Sequence, residues 1–515
     1  MMGKTNLPLS WESVKLGVFV ENEKGKKPKR QSPDKTEEFA LPYVDIEAFE
    51  DGNIKSWTDG DGCRLCSESD FLMVWDGSRS GLVGKGMKGA LGSTLVRINF
   101  PGMHNQYAYY FLLSKYQEIN TRAKGSGTPH VDPDLLWNYS FPIAPLNEQK
   151  RIVAKIEELF SELDNGIATL KTAQEQLKVY RQAILKHAFE GKLTAKWREE
   201  NADKLETPEQ LLARIQKERD ARYQQQMEEW KAAVSEWEAK GKEGKKPSKP
   251  KEFLPQGELS QLSKLKLDLP ASWTPICIGH IYSVYVGATP NRKEDSYWNG
   301  DINWVSSGEV AFCEIRNTSE KITQLGYENT STDIHPEGTV LLAMIGEGKT
   351  RGQAAILRIP AAHNQNTAAI RVSEVNHSSE YLYYFLQYQY EQTRHVGSGN
   401  NQKALNKQRV SNLIFPLCST NEQFEISARI AEKFSVIENI NQEISVALSN
   451  SKTLRQSILK KAFSGKLVPQ DSNDEPASEL LARIRAEKAQ QKQPSKKIIT
   501  KTSRNKVSKE AKIEN

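Results

Sequence analysis

Gly348-Lys349-Thr350 comes nearest in this sequence to a motif that could do chemistry. Residues 343–350, AMIGEGKT, fit a permissive form of the phosphate-binding loop, in which a glycine-rich turn and a lysine contact nucleotide phosphates. Such a loop works only if a helix begins directly after it, because the helix amides then face the phosphate. Arg351 and the strand-like AAILRI follow instead. The sequence therefore favours a hairpin turn with basic residues near nucleic acid over nucleotide binding.

A second glycine-rich run, Gly84–Gly89, has the spacing of a dinucleotide-binding fingerprint. No helix former follows it, and that context favours a flexible loop. Arg79, Lys85 and Lys88 make the loop cationic, and its backbone amides can approach phosphate. We therefore interpret it as a candidate DNA contact.

Cys63 and Cys66 have C-x-x-C spacing, but a zinc site needs two further ligands. The other three cysteines and the eight histidines are scattered, so ordinary thiols and no metal site are predicted. Five cysteines, an odd and sparse number, fit a reducing cytoplasm better than a disulfide framework. An amino-methyltransferase tetrad, a G-x-S-x-G elbow, an H-E-x-x-H pair and an EF-hand loop are all missing from the sequence. This favours a binding role without catalytic residues.

Two segments share a Gly-Ser-Gly step, Lys124–Asp132 and Val396–Asn406. Small residues let a backbone come close to a partner, and polar side chains can address base edges or phosphates. The candidates are Ser126 and His130 in the first segment and Asn400, Asn401 and Lys403 in the second. A simple connecting turn explains each segment equally well.

The chain contains an internal repeat, and one copy follows each of the two regions that contain these loops. Residues 147–193 align without a gap on residues 421–467, and almost half of the positions are identical. A shorter echo, Leu7–Trp11 against Leu269–Trp273, precedes each copy. The order is therefore variable region, repeat, variable region, repeat, which suits recognition of a two-part target.

Each repeat is predicted to be a long helix with an apolar stripe. Apolar residues recur every seven positions, which is typical of a coiled coil, and each copy is the natural partner of the other. About 40 residues at ~1.5 Å per residue give a rod of roughly 60 Å. Two unrelated amphipathic helices, each on its own domain, are the alternative. The seam residues are Ile156, Leu163, Leu170, Leu177, Ile430, Ile437, Ile444 and Ile458.

The variable regions contain short β-branched and aromatic runs, glycine-rich turns and two short aromatic helices, so the predicted class is α+β. The segment after the first repeat is charged and helix-prone and ends in a basic, proline-containing linker. The predicted divisions are 1–146 and 263–420 (globular domains), 147–195 and 421–470 (repeat helices), 196–262 (charged helix and linker) and 471–515 (short helix and disordered basic tail).

Bulk composition excludes some classes of protein. The 515 residues are 37% hydrophobic and 26% charged, and no apolar run approaches the ~20 residues of a membrane span. Residues 1–17 lack an apolar signal core, so we expect no secretion and a cytoplasmic location. The net charge of +6 alone is weak support for nucleic-acid binding.

The sequence resembles the specificity subunit of type I restriction–modification systems along nearly its whole length. The resemblance rests on the duplicated NEQ…I…AKI…F start and RQ-x-ILK-x-AF-x-GKL end of the repeats. YWNGDINWVSSGEV (residues 297–310) and AMIGEGKTRGQAAIL are similar to the opening and the central hairpin of a family target-recognition domain. The candidate contacts in this second domain are Trp304, Ser306, Ser307, Lys349 and Arg351.

The resemblance implies two target-recognition domains, each binding one half of a split, asymmetric sequence in double-stranded DNA. Two long antiparallel coiled-coil helices would separate them, with a pseudo-two-fold internal repeat. It also implies two methyltransferase subunits and restriction subunits as partners. S-adenosylmethionine, ATP and Mg²⁺ would be used in those partners, with no cofactor in this chain. A coiled-coil scaffold that does not bind DNA, a nucleotide-dependent enzyme using Lys349 and an RNA-binding protein remain as alternatives.

Overall fold

The structure, a computed structural model, describes residues 7–125, 127–243, 246–250, 252–257, 268–346, 348–395 and 405–491. The chain forms two compact units. Unit 1 consists of Met1–Leu170 and Ser445–Asn515, and unit 2 of Lys171–Ile444. Each unit therefore contains one variable region together with part of each repeat.

The first variable region contains ten strands and three helices among its described residues. The strands are β1 Glu12–Lys15, β2 Glu21–Lys24, β3 Leu41–Val44, β4 Trp57–Thr58, β5 Leu65–Cys66, β6 Phe71–Val74, β7 Val83–Lys85, β8 Gly89–Leu91, β9 Leu95–Asn99 and β10 Ser140–Ile143. The helices are α1 Ile46–Asp51, α2 Asn105–Thr121 and α3 Pro133–Trp137.

The first repeat is one helix, and two further helices follow it: α4 Leu146–Phe189, α5 Ala195–Glu200 and α6 Pro208–Ala239. The second variable region has the strands β11 Thr274–Cys277, β12 Ser283–Val286, β13 Trp298–Val305, β14 Cys313–Ile315, β15 Glu320–Ile322, β16 Val340–Ala343, β17 Ala354–Leu357, β18 Ala362–His363, β19 Thr367–Arg371 and β20 Ile414–Leu417. The remaining helices are α7 Ile278–Ile281, α8 Gln324–Glu328, α9 Ser379–Tyr388, α10 Tyr390–His395, α11 Lys407–Ser411, α12 Thr420–Ala462 (the second repeat) and α13 Ala477–Gln491.

The two variable regions share a topology although their sequences differ. One sheet has the order β2-β9-β6-β7 in unit 1 and β12-β19-β16-β17-β14 in unit 2. A second sheet has the order β4-β3-β8-β5 in unit 1 and β15-β13-β18 in unit 2. The central strands β6 and β16 are buried along their whole length, which explains their unbroken apolar runs. The mixed α and β class is as predicted.

Each unit packs one end of α4 against the opposite end of α12. In unit 1, Ile152 and Ile156 of α4 share a hydrophobic core with Ile458 and Ala462 of α12. In unit 2, Ile184 of α4 shares a core with residues such as Ile426, Ile430 and Ile437 of α12. The early turns of one helix thus meet the late turns of the other, so the helices are antiparallel within each unit.

The predicted seam residues are wholly or partly buried in these helices. Ile156, Ile430, Ile437, Ile444 and Ile458 are buried, and a second group is half-buried, namely Leu163, Leu170 and Leu177. A continuous coiled-coil spacer stays a prediction.

The short LP-x-SW echo binds the start of one repeat helix in each unit. In unit 1 the indole Nε1 of Trp11 donates a 2.9 Å hydrogen bond to Glu148 of α4. In unit 2 the Nε1 of Trp273 donates a 2.8 Å bond to Glu422 of α12. Both glutamates belong to the repeated Asn-Glu-Gln motif and are buried.

The charged segment after α4 contributes to the core of unit 2. Thr207 and Gln210 form a capping box at the start of α6, and Leu211 and Ile215 are buried in the unit 2 core. Helix α13, whose SELLARI (residues 478–484) is similar to EQLLARI of α6 (residues 209–215), buries Leu480 and Ile484 in the unit 1 core. Among the described helices, none has the length and apolar character needed to cross a membrane.

Candidate nucleic-acid interface

Four segments of the first variable region meet at one end of its sheets. Trp75, at the start of the β6–β7 turn, donates its amide to the carbonyl of Thr94 at 2.8 Å. Gly77 of that turn donates to Pro129 at 2.7 Å, and Gly92 donates to Val44 at 2.9 Å. We call this surface the first loop edge, and it comprises residues 45–51, 75–82, 92–94 and 127–131.

The second variable region has the same arrangement. The amide of Asn364 donates to Val305 at 3.0 Å, and that of Met344 donates to Asn366 at 2.8 Å. Leu405, near the end of the second Gly-Ser-Gly segment, donates its amide to Met344 at 3.1 Å and so lies next to the β16–β17 turn. The second loop edge comprises residues 306–309, 344–346, 348–353, 364–366 and 405.

The first loop edge brings together Arg79 and His130, which are far apart in sequence. Arg79 lies in the β6–β7 turn with a side chain 57% exposed, and it forms an ion pair with Glu50 of α1. His130 exchanges two backbone hydrogen bonds with Lys124, of 2.9 and 2.7 Å. Ser126, between them, lies outside the described residues.

Lys85 and Lys88 do not belong to this edge. Lys85 pairs with Phe71 at the opposite end of the β6–β7 hairpin, and Lys88 lies in the connection to β8. Both side chains are exposed. The glycine run therefore consists of two short strands and their connection, with no helix to complete a dinucleotide fingerprint.

Gly348-Lys349-Thr350 lies in a turn between antiparallel strands, as the sequence predicted. Leu342 of β16 pairs with Ala354 of β17, and no helix follows the turn within the described residues. Lys349 is exposed, whereas Arg351 is half-buried and its Nη2 donates to the carbonyl of Arg394 at 3.1 Å. The geometry is a hairpin and not a phosphate-binding loop.

Ser306 and Ser307 lie at the second loop edge, but Trp304 does not. The Oγ of Ser306 donates a 2.9 Å bond to Glu309 and caps a short 3-10 turn. The prediction that Trp304 contacts DNA is wrong, because its side chain is 1% exposed and its Nε1 donates to Ala288 at 3.1 Å. It packs edge-on against Trp298 in a small core. Asn400, Asn401 and Lys403 lie outside the described residues.

Ion pairs hold the cations of the first loop edge and its surroundings. Lys124 binds Asp132 at 2.9 Å, and this hydrogen bond lowers the pKa of the Asp132 carboxyl. Lys55 binds Glu47 on α1 and likewise lowers the pKa of that carboxyl. DNA phosphates would therefore compete with protein carboxylates for these side chains.

Three residues next to the hairpin turns went unnoticed in the sequence. Asn120 donates its side-chain Nδ2 to the carbonyls of Ser78 and Ser80 at 2.9 and 3.0 Å. Tyr390 and Arg394 contact the turn in the second domain. No sequence motif marks them, although each lies shortly before a Gly-Ser-Gly segment.

Nothing in the described residues is arranged to hold a metal ion through three histidine, cysteine or carboxylate side chains. Cys63 and Cys66 are both free thiols, and burial raises the pKa of Cys66 to about 11. The absence of a bound metal at these cysteines stays a prediction.

The model of one protein family matches the chain twice. The family is described as the type I restriction modification DNA specificity domain, and the matches cover residues 8–178 and 270–448. The chain belongs to this family. Each family domain thus contains one variable region and most of the repeat helix that follows it.

Specificity subunits of type I restriction enzymes match this chain over different fractions of its length. The EcoDI specificity subunit of Escherichia coli is 23% identical over 95% of this chain and 97% of its own length. The EcoBI subunit of E. coli is 24% identical over 87% of this chain and 86% of its own length. The MjaVIII specificity subunit of Methanocaldococcus jannaschii is 33% identical, but the match covers 36% of this chain and 43% of that protein.

Solved structures of type I proteins share the fold. A chain from a study of complex assembly and conformational transition of the type I R-M system aligns with a TM-score of 0.61 and 17% identity, covering 90% of this chain and 99% of that one. The HsdS subunit from Thermoanaerobacter tengcongensis aligns over the same shares with a TM-score of 0.50 and 17% identity.

Proposed function

We propose that this chain is the DNA-specificity subunit of a type I restriction–modification complex. Each recognition domain contacts one half of a bipartite, asymmetric site through its loop edge. The observation that carries this proposal is the occurrence of one recognition topology twice, with different side chains at the two loop edges. Two similar domains with different contact residues are what a split site with unlike halves requires.

Both loop edges offer groups suited to DNA. Exposed cations can bind phosphates, and hydroxyl, amide and imidazole groups can address base edges. Lys85 and Lys88, at the far end of the first hairpin, are assigned to phosphate contacts. The proposed contacts at the loop edges are Arg79, His130, Ser306, Ser307, Lys349 and Arg351. Ser126, Asn400, Asn401 and Lys403, outside the described residues, are proposed as contacts from the sequence alone.

The proposed partners are two methyltransferase subunits and the restriction subunits. S-adenosylmethionine, ATP and Mg²⁺ act in those partners, so this chain performs no chemistry and works in the cytoplasm. The antiparallel contacts of α4 and α12 within each unit support a role of the two helices as the spacer between half-sites. Half-sites one DNA turn apart are roughly 34–36 Å from centre to centre.

Methylome sequencing tests the proposal directly. Cells expressing this chain with its methyltransferase partner are compared with cells that lack the chain. We expect a split, asymmetric methylated motif that requires the chain. A confirmed, active complex whose methylation ignores the chain would contradict the proposal and favour a scaffold that does not bind DNA.

Point substitutions test the second loop edge. Lys349→Ala should weaken binding of a target duplex and make the dependence of log affinity on log salt shallower by about one unit, because one phosphate contact is lost. Lys217→Ala, which changes an exposed lysine on α6, is the matched control and should bind normally. Equal affinities and salt slopes for the two variants would remove Lys349 from the interface.

A further inference from the structure

The β16–β17 turn of unit 2 is fastened to α10 by a ring of three hydrogen bonds. The hydroxyl of Tyr390 donates to the carbonyl of Lys349 at 2.6 Å and accepts from Nη1 of Arg394 at 2.8 Å. Arg351 returns from the turn to the carbonyl of Arg394 at 3.1 Å. The backbone of the turn therefore has a fixed position relative to the helix that leads into the second Gly-Ser-Gly segment.

Packing reinforces this ring. The Tyr390 ring stands edge-on to Phe312, with centroids 5.0 Å apart. Gly352 has φ +85°, and a Cβ at this position would lie 2.6 Å from the Thr393 hydroxyl. The β16–β17 turn and α10 are thus in direct contact at Gly352, and no side chain fits between them there.

In unit 1, different residues anchor the β6–β7 turn to α2. Asn120, near the end of α2, donates to the carbonyls of both Ser78 and Ser80 in the β6–β7 turn. Gly81 has φ +90°, and a Cβ there would lie 2.4 Å from Ile119. In both units, the helix that precedes a Gly-Ser-Gly segment holds the hairpin turn through the backbone of the turn.

Anchoring by Asn120 and Tyr390 goes through the main chain of each turn. Asn120 and Tyr390 bind carbonyl oxygens, so they fix where the turn lies without occupying Arg79 or the ammonium group of Lys349. Hydrogen bonds to base edges need donor and acceptor within a few tenths of an ångström, which a loose turn cannot provide.

We propose that Asn120 and Tyr390 are positioning residues, and that each one sets the fidelity with which its own domain recognises its half of the site. This inference rests on the proposed function of the chain. A purely structural role would lower stability without favouring one half-site over the other, so the two roles predict different results.

The test uses the full chain assembled with its methyltransferase partner. Methylation rates are measured on the target duplex and on duplexes with one base pair changed in either half. Tyr390→Phe removes the hydroxyl but keeps the ring, and Asn120→Ala removes the amide. We expect Asn120→Ala to reduce discrimination about tenfold in the half-site that the first domain contacts, and Tyr390→Phe to reduce it about tenfold in the half-site that the second domain contacts. Each variant should discriminate normally in the other half-site.

Matched controls separate positioning from general effects. Tyr388→Phe changes a tyrosine that stacks on Phe189, and Asn138→Ala changes an asparagine that bonds a carbonyl of its own helix, that of Asp134. Both should discriminate like the unchanged chain. Arg394→Gln, which opens the same ring, replaces Tyr390→Phe if that variant does not assemble.

Two different results would overturn the inference. Discrimination that is unchanged, or reduced equally in both halves, would show that the anchors do not position the turns. An unchanged chain that directs no sequence-dependent methylation would instead remove the proposed function, and the inference with it. The first result leaves the function intact, so the two failures are distinguishable.

Discussion

The guanidinium carbon of Arg181 lies 3.9 Å from the centre of the Phe434 ring. Arg455, at the equivalent position of the second repeat, lies 4.7 Å from the ring centre of Phe160. The arginine of each repeat therefore stacks on the phenylalanine of the other, once in each unit. Antiparallel pairing of two copies of one sequence explains this exchange.

Removing either arginine should weaken the unit that contains it. We expect Arg181→Ala to lower the unfolding free energy of unit 2 by about 1 kcal/mol through loss of the cation–π contact. Hydrogen exchange of unit 2 peptides during a urea titration measures the change. Lys178→Ala on the same helix, which loses only an exposed pair with Glu175, is the control and should stay within about 0.5 kcal/mol. Equal effects would contradict the stacking argument.

Two glycines near the ends of the repeats should not tolerate alanine. Gly191 has φ +73° and Gly465 φ +70°, and a Cβ at either position would lie 2.3 Å from the ring of Pro270 or Pro8, respectively. Each Gly→Ala change should cost more than about 1 kcal/mol in thermal unfolding. Gly166→Ala is the matched control, because its Cβ would meet no atom and should stabilise the helix by about 1 kcal/mol.

The Trp273 indole should contribute to stability through its bond to Glu422, a side chain with 0% exposure. Trp273→Phe keeps the aromatic packing but removes one donor from a buried carboxylate. We expect a loss of about 2 kcal/mol in urea unfolding. Trp298→Phe removes a bond to the carbonyl of Asn291 and should cost less than about 1 kcal/mol. A smaller loss for Trp273→Phe than for Trp298→Phe would reject this role.

Unit 2 should lose stability in mild acid because it buries three neutral histidines. Burial lowers the pKa of His335 to about 2, of His363 to about 4 and of His377 to about 3. Unfolded histidine binds a proton near pH 6.5, so below that pH the unfolded state binds more protons. The unfolding free energy should therefore fall by up to about 1.4 kcal/mol per pH unit for each histidine as the pH drops from 6.5 toward 4.

Melting curves between pH 7.5 and 5, resolved by hydrogen exchange, measure this pH dependence. His377→Gln can still accept the 2.9 Å bond from Tyr282 but does not titrate. The variant should show a slope about one third smaller than the unchanged chain, since one of three protons is removed. An unaltered slope would mean that His377 titrates normally in the folded state.

Glu50 should restrain Arg79 at the first loop edge. The Glu50 side chain is 9% exposed, and its oxygen that does not pair with Arg79 has no hydrogen-bond partner in the described part of the chain. Glu50→Gln keeps the shape and removes the charge, so affinity for a target duplex should rise about threefold at low salt. Glu38→Gln, at the Arg30–Glu38 pair, is the control. Weaker binding by Glu50→Gln would mean that Glu50 itself is needed at the interface.

The repeat, the strands and the hairpin around Lys349 could be predicted because they rest on local patterns. A seven-residue apolar period marks residues of α4 and α12 that are buried or half-buried, and the run VLLA indicates β16. The resemblance of residues 297–310 to a recognition domain could not tell which side chains face outward. Trp304 lies between β15 and β18 in the sheet, and its side chain shares a small core with Ile322 and Ala362 of those strands.

Contacts between segments far apart in sequence escaped prediction. Lys85 and Arg79 lie in one glycine-rich stretch of sequence, yet Arg79 is in the turn of the β6–β7 hairpin and Lys85 is at the far end of its second strand. Asn120 binds a turn about 40 residues earlier, and no local pattern records such a bond. The function of these residues depends on sheet topology, which the sequence reveals only through the folded chain.

The division of the chain into units has a consequence for its synthesis. Unit 2 is continuous, so all of its residues have been made once Ile444 is added. Unit 1 is not, because Ile458 and Leu480 complete a core that begins with Trp11. On the ribosome, unit 2 can therefore finish folding first. Unit 1 still exposes apolar core residues at that stage, because its C-terminal part has not been synthesised. A chain truncated after Ile444 should therefore have a folded unit 2 and an incompletely folded unit 1 that binds chaperones or aggregates.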